Sequence, residues 1–589
     1  MNQFKLNALA GIFDNNNYPA PLLKDVYKVF HKFAYKPGIT HVYGNFTNRF
    51  GKHSNIPNNA HVMNIGLQSV IIKVLIQAWG EFFNKPKAQA VSEYSEVVNS
   101  ILGKEIPIDH LEALHGLQYL PISIKSLPEG VLVPYGVPSY TITNTTSGFG
   151  WLTNMLETVM SAETWGISTT ATTAYAYRKR FEAEPSLQKL GCIKFLGHDF
   201  SYRGAWGTEA AAMSGFGHLA SFYGSDIIPA ALFARKYYGA DFNKELVAAS
   251  VDATEHSVMC SYEDSGEKES LKHLMTNVTP TGTLSVVSDT WDFWQLVTEY
   301  LPELKDVIMA RDGTVVIRPD SGDPVDIICG TASKNVINVY SDKYLPESTT
   351  DFETWQLEVA EDIDERFRED LDAENPDYGI TLNYVFKKQL YSVSYEPDLN
   401  RHDKTYYYVD NYGSTLSKCS FVETPITAQG KGLVECLYEI FAGTDADGLK
   451  LLDSHIGAIY GDSITLERQD QIIKRLLAKG FVPNVVLGIG SYSYFYVTRD
   501  TNGSAVKATD VQFGEGNHNA ISKDPKTDQS KKSARGLLRV DLVDDEYVLR
   551  SDVTPEEEAG GELKEIFRNS KLLVVTTLEE IRARIDATF

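Results

Sequence analysis

Seven times along this chain a short apolar run stops in a polar or glycine-rich turn and a helical stretch follows. The run ends are Phe195-Leu196-Gly197-His198-Asp199-Phe200, Gly224-Ser225-Asp226, Ala249-Ser250-Val251, Ser285-Val286-Val287-Ser288-Asp289, Ile317-Arg318-Pro319-Asp320, Ile459-Tyr460-Gly461-Asp462 and Val486-Leu487-Gly488-Ile489-Gly490. Most lie roughly 25–35 residues apart, the size of one βα unit. Runs of this kind read as parallel strands buried on both faces. About seven of them predict an α/β protein built as an irregular β/α barrel rather than an open sheet. The sharpest stop is Val315-Val316-Ile317-Arg318-Pro319-Asp320. Pro319 lacks a backbone donor and fixes φ, so one arginine and one carboxylate stand on stiff backbone at a strand end.

The flanking segments follow other patterns. Residues 1–20 are a polar, Asn-rich end, and 21–185 read as an N-terminal mixed β/helical domain. Within it, 40–46, 120–124 and 130–134 alternate as strands, and 67–83 and 151–181 are helical. The barrel takes 186–327 and 431–500. Between these parts, 328–430 reads as an inserted α+β subdomain, with an acidic helical run at 361–372 and Tyr-rich strands at 384–395 and 406–409. The C-terminal segment, 501–589, carries a basic loop and packs on the N-terminal domain. Its last helix opens at Thr577-Leu578-Glu579-Glu580, a capping box.

Composition excludes several classes. The net charge is −23, from 55 basic and 78 acidic side chains, which disfavours nucleic acid as a partner. The five cysteines, at 192, 260, 329, 419 and 436, form no CxxC pair, which argues against a disulfide framework or structural zinc and for a reducing, cytoplasmic setting. The most apolar stretch, 70–83, is interrupted by Lys73, Gln77 and Glu81, so no membrane span is expected. No GxGxxG or GxxxxGK[ST] opens a helix.

In a barrel, strand ends converge at one mouth. That placement would gather His198, Asp199, Phe200, Arg203, Asp226, His256, Asp289, Arg318, Asp320, Asp462 and Arg499. Arginines and a histidine suit phosphate or pyrophosphate; the aspartates suit hydrated Mg²⁺ and ribose hydroxyls; Phe200 suits stacking on a flat ring. The Gly488-Ile489-Gly490-Ser491 turn offers backbone donors for phosphate. Each feature also has a plainer reading: pinned loops, an ion-paired histidine, a tight turn.

The segments His198-Asp199-Phe200-Ser201-Tyr202-Arg203-Gly204, Ala253-Thr254-Glu255-His256-Ser257, Ser285-Val286-Val287-Ser288-Asp289, Ile317-Arg318-Pro319-Asp320-Ser321-Gly322, Tyr460-Gly461-Asp462 and Thr498-Arg499-Asp500 resemble, in order, motifs of the nicotinamide phosphoribosyltransferases. Asp25-Val26-Tyr27-Lys28 and Trp151-Leu152-Thr153-Asn154 do so too. The resemblance implies transfer of phosphoribose from 5-phosphoribosyl 1-pyrophosphate to nicotinamide, with Mg²⁺, ATP as a coupling co-substrate, and a homodimer with shared active sites. It implies that Phe200 stacks on the pyridine ring opposite Tyr27 of a second subunit, and that Asp226 accepts from the carboxamide. Arg203, His256 and Arg318 would hold pyrophosphate, with His256 the phosphohistidine. Asp289 and Asp320 would serve the metal and the ribose, and Gly461 with Asp462 the ribose. Gly490, Ser491 and Arg499 would hold the nucleotide phosphate, and Arg49, Lys507 and Lys531 would add cations from the neighbour. Asp25, Ser250 and Ser285 complete the substrate-binding set.

Three departures stand out. The 328–430 stretch has no counterpart, Ser491-Tyr492 replaces a glycine-richer loop, and Ala505 stands where the family often has serine. The sequence leaves two alternatives: the same transfer to nicotinate, and a Mg²⁺-dependent sugar-phosphate lyase on a β/α barrel. The lyase would want a lysine at a strand end, where none stands; a scaffold role would leave Arg203, His256, Arg318 and Asp320 unexplained together.

Overall fold

The computed structural model describes residues 18–331, 354, 380–386, 389–395, 420–423, 427–461, 463–514, 516–527 and 532–589. It divides into two compact units. The first comprises Met1–Ala183, Ile193–Ser250 and Ile489–Phe589; the second comprises Glu184–Cys192 and Val251–Gly488.

The first unit is built on a seven-stranded sheet in the order His518–Ala520, Ala505–Phe513, Ile39–Thr47, Pro138–Asn144, Ile122–Ser126, Lys564–Arg568, Lys571–Leu572. Neighbouring strands run antiparallel. Their period-two alternation sends Phe46, Ile122, Ile124, Tyr140 and Ile142 into one core with Trp79, Phe82 and Leu152. Phe46 and Tyr140 stack there with ring centroids 5.0 Å apart. The strands outside this central trio come from residues beyond 504, so the C-terminal segment is woven into the N-terminal sheet.

Helices Trp151–Met155 and Glu157–Glu182 occupy the expected helical stretch. The second buries many hydroxyl side chains, several of which bond back one turn, as Thr164 does to Met160 O at 2.6 Å and Thr172 to Ser168 O at 2.6 Å. The last helix, Leu578–Asp586, opens with the reciprocal Thr577–Glu580 box and buries Ile581 and Ile585. Two short parallel strands, Gly197–Asp199 and Gly224–Ser225, also belong to this unit.

The strands Val486–Ile489, Ile456–Tyr460, Val315–Arg318, Leu284–Val287 and Asp252–Ala253, all of the second unit except for Ile489, lie side by side in that order, all parallel. Val315 pairs with both Leu284 and Ile456, which brings the residues after each strand to one edge. Helix Pro324–Cys329 follows Arg318 and is capped by Asp323; helix Leu466–Ala478 follows Tyr460 and is capped by Thr465. Within 328–430, strands Ile380–Phe386, Gln389–Tyr395 and Ser420–Glu423 form a small antiparallel sheet. The 361–372 and 406–409 readings, and residues 1–17, lie outside the described residues.

The chain is therefore α/β with seven parallel strands among the described residues, five in the second unit and two in the first. Two strand ends differ from expectation. Residues 195–196 belong to helix Ile193–Leu196, so only Gly197–Asp199 is strand; an apolar run this short does not tell helix from strand by period. Ala249 makes only an isolated bridge to Gly224, and the strand there is Asp252–Ala253. Among the described residues no helix is long and apolar enough to cross a membrane.

Candidate functional site

The second unit carries an acidic group at its strand ends. Arg318 N–H donates to Ser288 Oγ at 3.3 Å, Ser288 N–H to Arg318 O at 3.0 Å, and Gly461 N–H to Pro319 O at 3.2 Å. Thr254 donates its N–H to Ser285 O at 3.0 Å, while its hydroxyl accepts from Val287 N–H at 2.9 Å. These lateral bonds fix four chain segments beside one another just where their strands end. His256 follows, with Nε2 4.0 Å from Asp289 Oδ1 and 3.9 Å from Asp320 Oδ2. Its Nδ1 lies 3.2 Å from Thr290 Oγ1, which sets the ring's orientation. Arg318 donates through Nη2 to Thr254 O.

Gly461 leaves room here for the Asp320 carboxylate. A Cβ at that position would lie 2.6 Å from Asp320 Oδ1. Tyr460 donates its hydroxyl to Gly322 O at 2.8 Å; burial first, then the Asp320 and Asp289 charges, push its pKa above the ordinary range and keep it a donor. Ser285 sits inside its strand opposite Val316 and is buried, not at the strand end. Asp462 lies outside the described residues.

Asp289 tests whether a metal fits. Its side chain is 5% exposed, and both carboxylate oxygens are buried without a hydrogen-bond donor among the described residues. A buried carboxylate left so is costly until a cation neutralises it. Among the described residues no group of three or more His, Cys, Asp or Glu is placed to hold a metal unaided. Two carboxylates completed by water and substrate oxygens are the kind of set that suits Mg²⁺.

The first unit carries a different group. Asp226 Oδ1 accepts from Ser250 Oγ–H at 2.6 Å and from His198 Nε2 at 2.8 Å. The Phe200 ring stacks on the His198 ring, centroids 4.5 Å apart and 30° between planes. Asp226 N–H donates to Asp199 O at 3.2 Å and Phe200 N–H to Ile489 O at 3.1 Å, which hold both residues by their backbone. Asp199 is wholly buried and accepts from Ser201 N–H at 2.9 Å; burial pushes its carboxyl up to about 6. It pins the turn that presents Phe200. Gly490 caps the short helix Ser491–Phe495, and Gly204 packs so tightly on Ser491 that no side chain fits between.

The remaining expected residues have other neighbours. Arg203 is exposed in the turn Ser201–Gly204. Arg499 pairs with Asp500 at 3.0 Å. Lys507 and Lys28 both pair with Glu157, at 3.0 and 2.8 Å. Arg49 donates through Nε to Gly503 O at 2.8 Å, and Asp25 accepts from Thr158 Oγ1–H at 2.6 Å. Tyr27 is 60% exposed, and Lys531 lies outside the described residues. Thr254, Ser288 and Thr290, which set the acidic group, were not singled out from the sequence. Their one signal is position, each within three residues of a strand end.

A family model described as the nicotinate phosphoribosyltransferase (NAPRTase) family matches residues 195–352 and 417–571. A nicotinamide phosphoribosyltransferase of Acinetobacter baylyi is 39% identical over 577 residues, covering 95% of this chain and 96% of that one. One from Mycoplasma pneumoniae is 27% identical over 536 residues, covering 87% and 93%. Among solved structures, human nicotinic acid phosphoribosyltransferase aligns over 96% of this chain and 93% of that one, at 14% identity and a TM-score of 0.47.

Proposed function

The chain belongs to the nicotinate phosphoribosyltransferase (NAPRTase) family, and on that premise we propose that it is a nicotinamide phosphoribosyltransferase acting in NAD biosynthesis. It joins nicotinamide to the phosphoribosyl group of 5-phosphoribosyl 1-pyrophosphate and releases pyrophosphate. The observation that carries the choice of nicotinamide is Asp226, a carboxylate oriented by Ser250 and His198 beside the Phe200 ring. A carboxylate accepts from an amide NH₂ and repels the carboxylate of nicotinate, by several kcal/mol in order of magnitude when water is excluded.

The chemistry asks for little proton transfer. The pyridine nitrogen brings its own lone pair, so no general base is needed. Positive charge develops on the ribose and negative charge on the departing pyrophosphate. Arg318 and Arg203 are the cations this chain offers to the pyrophosphate. Asp320 and Gly461 take the ribose side, and Ser491 and Arg499 the nucleotide phosphate. Asp289 and Asp320 would hold Mg²⁺, which when bound neutralises charge on the leaving group.

ATP is included as a coupling co-substrate, with His256 as phosphoryl acceptor; the half-exposed ring, held through Nδ1 by Thr290, supports this. A homodimer is included as well, with Tyr27, Arg49, Lys507 and Lys531 supplied by the second copy. Tyr27, Phe30 and Phe33, exposed on and beside helix Lys28–Ala34, are side chains a second copy would cover. A cytoplasmic setting completes the proposal. The described cysteines, Cys192, Cys260, Cys329 and Cys436, are free thiols, the state a reducing compartment keeps.

The test is direct. Purified protein is incubated with nicotinamide, 5-phosphoribosyl 1-pyrophosphate and Mg²⁺, with and without ATP, and nicotinamide mononucleotide is measured. No product under either condition sinks the activity; faster use of nicotinate than nicotinamide sinks the role given to Asp226.

A further inference from the structure

His218 and Tyr494 have no role in the chemistry above, yet both are buried, with 0% and 2% of their surface exposed. His218 lies on helix Thr208–Leu219. Its Nε2 is 2.8 Å from Gly224 O, and its Nδ1 is 2.7 Å from the Tyr494 hydroxyl. A carbonyl only accepts, so Nε2 carries the proton. Nδ1 is then a lone pair and takes the Tyr494 O–H. Burial pushes the imidazole pKa down to about 3, so the ring keeps this one neutral tautomer at every working pH.

Each of the two bonds ends within three residues of one given to the substrates. Gly224 opens the segment Gly224-Ser225-Asp226, and it lies so close to His198 that an added Cβ would be 2.9 Å from the ring's Nδ1. His198 is itself bonded to Asp226. On the other side, Tyr494 sits in the helix that opens at Ser491. The adjacent Ser493 hydroxyl is bonded to Tyr177 Oη at 2.8 Å, so this helix is held by polar bonds from two others.

We propose that His218 is a positioning residue whose single ring sets both the strand end bearing Asp226 and the helix bearing Ser491, so that recognition of the carboxamide and of the nucleotide phosphate is coupled. The proposal rests on the roles given above to Asp226 and Ser491. His218 and Tyr494 touch neither substrate themselves. They act through Gly224 and through the helix backbone, and the coupling follows because one side chain serves both.

The test titrates nicotinamide, and separately 5-phosphoribosyl 1-pyrophosphate with Mg²⁺, into wild type, Tyr494→Phe and His218→Gln in a calorimeter. Turnover and thermal unfolding are measured in parallel. Tyr494→Phe keeps the ring and deletes one hydroxyl; it should weaken 5-phosphoribosyl 1-pyrophosphate by roughly three- to tenfold, the scale of one lost hydrogen bond, and leave nicotinamide within about twofold. His218→Gln should weaken both ligands by roughly that factor or more. A merely structural role would lower the unfolding temperature and the active fraction while leaving both affinities unchanged. Affinities within about twofold of wild type in both variants overturn the proposal, as does His218→Gln weakening only one ligand. If His218→Gln does not fold, the phosphate-side affinity of Tyr494→Phe decides. A wild type that binds both ligands but forms no product would overturn the proposed activity and not this coupling.

Discussion

Gly461→Ala is the smallest change that should disturb the acidic group without touching any of its side chains. The added methyl would lie 2.6 Å from Asp320 Oδ1, about 0.8 Å inside ordinary 3.4 Å contact, while its next side-chain neighbour, Arg318 Cδ at 3.6 Å, is comfortable. Gly461 is not in the left-handed region, so alanine adds no backbone strain there. The Asp320 carboxylate must therefore yield by most of an ångström. A displacement of about 1 Å at a reacting centre can cost about a hundredfold. We expect kcat/KM for 5-phosphoribosyl 1-pyrophosphate to fall by roughly ten- to a hundredfold, about 1.4–2.7 kcal/mol. The Mg²⁺ concentration for half-maximal rate should rise with it, and the unfolding temperature should stay close to wild type. Nicotinamide mononucleotide formation under initial-rate conditions, at several Mg²⁺ concentrations, reads all of this. Adding Gly461→Ala to Asp320→Ala should cost little more, since the methyl acts through that carboxylate. Wild-type kcat/KM and Mg²⁺ dependence in Gly461→Ala, or full additivity with Asp320→Ala, would refute the reasoning.

Other outcomes follow from the same geometry. Asp226→Ala should abolish efficient use of nicotinamide while leaving binding of 5-phosphoribosyl 1-pyrophosphate in place; intact nicotinamide kinetics would remove the amide-recognition role. Asp199 should be read through stability and pH: its folded pKa, about 6, is raised above the ordinary 3.8 by burial, so the native state holds an extra proton between those values. Its contribution to stability thus falls as pH rises from about 4 to 6 and then levels, by about 3 kcal/mol in order of magnitude. Asp199→Asn keeps an acceptor for Ser201 N–H and should gain on wild type across that window in denaturant titrations; a constant difference from pH 4 to 7 would contradict it. For the shared site proposed above, Tyr27→Ala and Asp226→Ala proteins should each be nearly inactive. Mixed by co-refolding, they should recover part of the activity, because one site in each hybrid is intact; no recovery would place Tyr27 in its own subunit's site.

How much of this was legible beforehand depended on how local the signal was. Arg318-Pro319-Asp320 announced a strand end because proline stops a ladder within one residue, and Thr577 and Glu580 announced a helix start because a capping box spans four residues. The burial of Asp289 was not legible: the sequence gives the carboxylate, and only the neighbours that leave it without a donor reveal what it lacks. The pairing of Ala505–Phe513 with Ile39–Thr47 was invisible for a similar reason. Each strand alternates plausibly by itself, and nothing local says that they meet. His218 lay in an apolar helical run, where a histidine reads as core until both of its ring partners are known. Residues 195–196 read as strand and are helix, because two or three apolar residues carry no period.

The order of strands in the first unit bears on how the protein is made. Its three central strands, Ile39–Thr47, Ile122–Ser126 and Pro138–Asn144, leave the ribosome early, while the strands that flank them on both sides come from residues beyond 504. During synthesis the nascent sheet therefore waits with two open edges until nearly the whole chain has emerged. Open edges of this kind recruit foreign strands. A chain cut short after residue 500 keeps every strand of the second unit's parallel sheet and loses both borders of the first unit's sheet. Such a fragment should be found with chaperones or in aggregates rather than as a smaller working enzyme.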